Sequence, residues 1–128
     1  LVDCRKFGEF LASPLGRAMK TAAEKGLLYR EQPFAMEIGA DVIDADCPSE
    51  EKVLVQGIID AFYFEGEKVF VVDYKTDSVP RGAKGEELLR ERYAKQLELY
   101  CDAIKKVTGK EIGGCFIYSV NLGKALDV

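Results

Sequence analysis

The chain has 128 residues, 48% of them apolar and 31% charged, with a net charge of −4 at pH 7. That composition suits one folded domain over residues 1–128 with a core of its own, and it excludes a disordered tail and nucleic-acid binding by bulk positive charge. No apolar run approaches the ~20 residues that span a bilayer, and the first residues carry no signal-peptide pattern, so no membrane is implied and a cytoplasmic setting is expected.

The start at Leu1 without a methionine reads as a piece, a C-terminal one, of a longer chain. Residues 3–26 read as helix, with Phe7, Phe10, Leu11, Leu15, Met19 and Ala22 near helical spacing and a second segment starting at Pro14. Residues 27–38 alternate like a strand after the turn chemistry of Pro33, and the acidic stretch 39–52 reads as a surface loop. Two β-branched and aromatic runs then flank Glu65, Gly66, Glu67 and Lys68, which predicts a hairpin.

Residues 78–87 read as a loop and residues 88–107 as a long helix. Leu89, Tyr93, Gln96, Leu97, Tyr100, Ile104 and Val107 share one face of that helix, opposite alternating charges. Residues 114–120 form a final apolar strand, so the element order is αβββαβ. The long charged helix breaks the strand series and excludes a simple β-barrel binder. The cysteines, Cys4, Cys47, Cys101 and Cys115, form no C-x-x-C pair, and there is no histidine to complete a zinc site. Reduced thiols are the expectation.

The hairpin puts charge in an unexpected place. A two-residue loop at Gly66 and Glu67 suits a type II′ turn, and the register that follows sets Asp60 directly opposite Asp73. Cross-strand Cβ atoms lie about 4.5–5.5 Å apart, so both carboxylates can reach one hard cation, Mg²⁺ or Mn²⁺. Side chains alternate along a strand, so Lys75 joins Asp73 on that face while Tyr74 points away. A slip of one residue would undo the arrangement. The plainer alternative is an ion pair between Asp60 and Lys75 at a strand end, with Asp73 a solvated cap.

Asp60 followed after twelve residues by Asp73-Tyr74-Lys75-Thr76, with Gly57 upstream and Gln96-x-x-x-Tyr100 on the next helix, resembles the PD-(D/E)XK nuclease superfamily. Within it the pattern is similar to the RecB-type branch and the C-terminal nuclease domains of AddA-type helicase–nuclease subunits. The resemblance covers residues 53–121 well and residues 5–38 more loosely. It implies an α/β restriction-endonuclease-like core: a mixed sheet with a central hairpin flanked by helices.

It further implies a metal-dependent DNA exonuclease in a parent chain with ATP-dependent helicase activity, acting in double-strand break repair. Asp60, Asp73 and the backbone carbonyl of Tyr74 would hold Mg²⁺ or Mn²⁺, and Lys75 would orient water and offset phosphate charge. Gln96 and Tyr100 would face DNA, and Arg81 and Lys84 in the 78–87 loop can touch the phosphate backbone. The implied partners are DNA and a second, AddB-like subunit.

This sequence lacks the metal-ligand histidine usual in RecB-type relatives, and Glu31 and Glu37 are possible substitute acids. The cysteine spacing departs from that of relatives with an iron–sulfur cluster, so none is expected. The alternative function is a catalytically incomplete fold that binds DNA or serves as a docking module within a helicase complex.

Overall fold

The computed structural model describes residues 4–40, 46 and 50–128. Cys47 and most of the acidic 39–52 stretch lie outside those residues. Two short helices lead: α1, Cys4–Ala12, and α2, Pro14–Glu24. The break between them is built by Ser13, whose hydroxyl donates to the Phe10 carbonyl at 2.6 Å and accepts from Gly16 N–H at 3.0 Å. Pro14 then occupies the first turn, where its missing N–H costs no hydrogen bond. Lys6 ties α1 down by donating to the carbonyls of Val120 and Asn121.

Strands β1 (Leu28–Gly39), β2 (Lys52–Glu65) and β3 (Lys68–Lys75) follow, then α3 (Ala83–Thr108), β4 (Glu111–Ser119) and β5 (Lys124–Asp127). They form one sheet in the order β1-β2-β3-β4-β5, antiparallel except for the parallel pair β3/β4 that α3 connects. The mixed sheet with its central hairpin is the architecture expected from the sequence. Two details differ from that expectation. Helix α3 starts at Ala83, within the predicted loop, with Glu86 in its first turn where the helix dipole favours an acid. The sheet also gains β5, a four-residue strand held to α3 by the Lys124–Glu86 ion pair at 3.1 Å.

Each face of the sheet carries a core. On one, Val69, Val71 and Ile117 pack against Leu89, Leu97 and Ile104 of α3. On the other, Ala61, Tyr63, Val72 and Tyr118 pack against Leu15 and Met19 of α2. The period-2 pattern of β3 therefore divides as the pleat requires. Val107, assigned to the apolar face of α3, is instead 80% exposed, standing in the last turn at the margin of the buried stripe of Leu97, Cys101 and Ile104. Cys101 on α3 and Cys115 on β4 are paired as a disulfide, their Cα atoms 7.1 Å apart. This corrects the expectation of free thiols for those two: helix-on-sheet packing, invisible in their spacing, brings them together.

Candidate active site

The hairpin register fixes the site. Glu65 pairs with Lys68, Phe64 with Val69 and Phe62 with Val71, and the ladder ends at Ala61↔Val72. Gly66 adopts φ 62 in the turn while Glu67 has no positive φ, as a type II′ turn requires. One step beyond the last paired residues stand Asp60 and Asp73. The backbone ladder is replaced there by a side chain: the Tyr74 N–H donates to Asp60 Oδ2 at 2.9 Å.

Asp60 also marks a change of face along β2. Ile59 and Phe62 belong to the core under α3, whereas Ala61 and Tyr63 belong to the core under α2. Strict alternation would separate Ile59 from Phe62, so the strand irregularity falls at Asp60. The β1/β2 pairing passes over the same level, skipping Glu31 and Asp60 between Arg30↔Ala61 and Gln32↔Ile59. Glu31 sits there at φ 49, the one described non-glycine residue with a positive φ.

Asp73 is 3% exposed. Burial pushes its carboxyl up to about 6, with Lys75 drawing it down and Asp60, within hydrogen-bond reach, pushing it further up. Its Oδ2 lies 2.8 Å from Lys75 Nζ as an ion pair, yet no donor is angled to hydrogen-bond that buried oxygen. Lys75 Nζ also donates to Gln96 Oε1 at 3.1 Å and lies 4.1 Å from the centroid of the Tyr93 ring. Tyr100 stands one turn beyond Gln96 on the same helix, and its hydroxyl titrates high through burial and the charges of Asp73 and Asp60. Tyr100 packs edge-on against Phe34, ring centroids 5.2 Å apart.

Asp60, Asp73, Lys75, Gln96 and Tyr100 thus converge. The Tyr74 side chain points to the opposite face, its ring edge-on to Phe10 and its hydroxyl near Met19 Sδ. Its backbone N–H faces Asp60, and its carbonyl shares that side of the strand, since N–H and C=O of one strand residue point the same way. Arg81 and Lys84 are exposed and take no part in the described contacts of this group, Lys84 standing on the first turn of α3. Glu37 is exposed, and Glu31, although level with Asp60, is exposed too.

The donor set suits a hard divalent cation: two carboxylates in mutual reach, one buried oxygen without an angled donor, and a backbone carbonyl beside them. Among the described residues no third His, Cys, Asp or Glu joins the pair. One or two carboxylates with water completing the shell is an ordinary Mg²⁺ arrangement. Sequence reasoning missed Tyr93 and Asp77 as members of this neighbourhood. Tyr93 stood on the correct helix face, but nothing in the spacing tied it to Lys75. No described helix is long and apolar enough to cross a membrane.

A family profile described as the PD-(D/E)XK nuclease superfamily matches residues 8–125. The whole chain is 38% identical to an A-type ATP-dependent helicase/nuclease subunit of Clostridium perfringens (strain SM101 / Type A), covering 10% of that protein. It is 36% identical over its whole length to the protein of the same name from Carboxydothermus hydrogenoformans, covering 11% of it. With the namesake from Listeria monocytogenes serotype 4a (strain HCC23) it shares 32% identity over 91% of this chain. The chain therefore spans about a tenth of the length of these relatives.

Proposed function

We propose a function from one premise: the chain belongs to the PD-(D/E)XK nuclease superfamily. The domain is a divalent-metal-dependent DNA exonuclease, the nuclease part of a longer helicase–nuclease chain that also binds ATP. It acts in double-strand break repair and recombination in the cytoplasm, beside a second, AddB-like subunit. The observation that carries this reading is the buried Asp73 carboxyl within reach of Asp60, with one oxygen against the Lys75 ammonium.

When bound at Asp60, Asp73 and the Tyr74 carbonyl, Mg²⁺ or Mn²⁺ supplies an acidified water and charge neutralisation at the phosphate. The protein's residues do the rest. Asp60, fixed by the Tyr74 N–H, keeps its second oxygen free of that bond. Lys75 presents a fixed positive charge where negative charge builds on the scissile phosphate, which is electrostatic preorganisation. Gln96 holds the lysine from the helix side, and with Tyr100 it lines the approach for DNA. Arg81 and Lys84, free in solvent, contact the backbone of the incoming strand.

The test is cleavage of linear DNA by the parent protein that carries this domain. Activity should vanish in Asp73→Ala and in EDTA; cleavage persisting in either defeats the reading. A second reading, a nuclease fold that binds or docks without cutting, is favoured by the convergence of two acids alone among the described residues, in a chain with no histidine. Titration with Mn²⁺ separates the two, because a purely docking domain shows no binding that Asp60→Asn removes.

A further inference from the structure

Lys75 is held on three sides. Asp73 and Gln96 account for two, at 2.8 and 3.1 Å. The third is the face of Tyr93, 4.1 Å from Nζ and inside the range of a cation–π contact. Tyr93 precedes Gln96 by three residues on α3, so the two side chains are neighbours on one helix face. Its ring is pinned at the far end, where the hydroxyl donates to Asp77 Oδ2 at 2.8 Å. The same oxygen accepts from Arg92 Nη1 at 3.0 Å. Asp77 follows Lys75 by only two residues, so the segment leaving β3 touches both ends of a single tyrosine. The Tyr93 hydrogen bond is the first cause holding the Asp77 carboxyl below its usual range.

We propose that Tyr93 and Asp77 are positioning residues for phosphodiester hydrolysis, forming a seat that fixes the Lys75 ammonium beside Asp73. This rests on the reading of Asp60, Asp73 and Lys75 as a nuclease centre. A lysine side chain has many rotamers, and two acceptors alone leave it free to swing when one of them is engaged elsewhere. A ring face beneath the ammonium holds position without taking a lone pair, so it persists when Asp73 is engaged by a cation. Asp77 keeps the ring from tilting, and Arg92 keeps Asp77 in place.

The test uses the parent protein with Tyr93→Leu, Tyr93→Phe and Asp77→Asn. Two readouts are needed: steady-state cleavage of linear DNA, and metal-free labelling of Lys75 by an amine reagent, quantified by peptide mass spectrometry. Tyr93→Leu should lower kcat about tenfold while KM stays within about twofold, and Lys75 labelling should rise severalfold. Tyr93→Phe keeps the ring and should recover most of kcat, with Asp77→Asn between the two. Mn²⁺ affinity should be unchanged in all three.

Wild-type kcat and labelling in Tyr93→Leu would overturn the seat. So would equal losses in Tyr93→Leu and Tyr93→Phe that track a fall in Tm, the signature of a merely structural tyrosine. Cleavage surviving in Lys75→Ala would instead sink the placing of Lys75 in the nuclease centre, while the labelling result still judges the seat by itself.

Discussion

Tyr74, two residues past the last paired residue of β3, gives its backbone N–H to the carboxylate of Asp60 at 2.9 Å. A side chain thus does what a strand carbonyl would otherwise do, and the bond fixes the orientation of an acid facing a second acid. Removing the acceptor and removing the charge therefore have different consequences. In metal-free protein, Asp60→Asn keeps an acceptor and relieves repulsion with Asp73, so its Tm should equal or exceed that of wild type. Asp60→Ala also orphans the Tyr74 N–H and should be less stable than Asp60→Asn by about 1 kcal/mol. Thermal unfolding in EDTA checks the order; Asp60→Ala as the more stable variant would break the argument.

Asp73 makes stability depend on pH. Its carboxyl rises from 3.8 to about 6 in the fold, chiefly through burial, so the native state binds the proton more tightly than the unfolded chain does. That contribution is complete below about pH 4 and is lost as pH rises through 6. The loss amounts to at most about 3 kcal/mol, at about 1.4 kcal/mol per pKa unit. Metal-free wild type should therefore lose stability relative to Asp73→Asn between pH 4 and pH 6.5. Denaturant melts of the two proteins across that window give the answer, and parallel curves would contradict the assignment of the proton to Asp73.

Gly57 makes room for the aromatic pair that backs the site. A Cβ there would lie 2.8 Å from Phe34 Cε1 and 3.6 Å from Tyr100 Cε1. Gly57→Ala must therefore push the Phe34 ring, and with it the edge contact to Tyr100. Overpacking of this kind costs about 1–3 kcal/mol. The variant should show a lowered Tm and an altered Tyr100 environment by tyrosine ring NMR. An unchanged spectrum would mean that the ring yields without disturbing Tyr100.

The hairpin was legible because a two-residue turn at Gly66 fixes the pairs from Glu65↔Lys68 to Ala61↔Val72, and one further step of the count reaches Asp60 and Asp73. Lys75 on the same side follows from alternation. What could not be read depends on contacts across space. Tyr93 reaches Lys75 only because α3 lies over β3, and Asp77 reaches Tyr93 only because the segment after β3 turns back toward the helix. The face change at Asp60 breaks the period that sequence reading relies on, so Ile59 and Phe62 sharing a core was not foreseeable. Strand β5 escaped notice because four residues, Lys124 to Asp127, are too few to show a period. Cys101 and Cys115 meet for the same spatial reason as Tyr93 and Lys75.

A cation held by Asp60 and Asp73 would replace the repulsion between them with attraction and would add to the Lys75 ion pair at the buried Asp73 Oδ2, which accepts no angled hydrogen bond. Adding Mg²⁺ or Mn²⁺ to EDTA-treated protein should therefore raise Tm, by the equivalent of about 2.7 kcal/mol when free ion is about a hundredfold above Kd. Asp73→Asn should abolish the shift, and Asp60→Asn should reduce it. Because protons compete for the same oxygen, the wild-type shift should shrink as pH falls below about 6, the value to which burial raises Asp73. Differential scanning fluorimetry at pH 5 and pH 7.5 separates this from nonspecific ionic stabilisation, which Asp73→Asn would retain. A Mg²⁺ shift of equal size in wild type and Asp73→Asn would place the ion elsewhere.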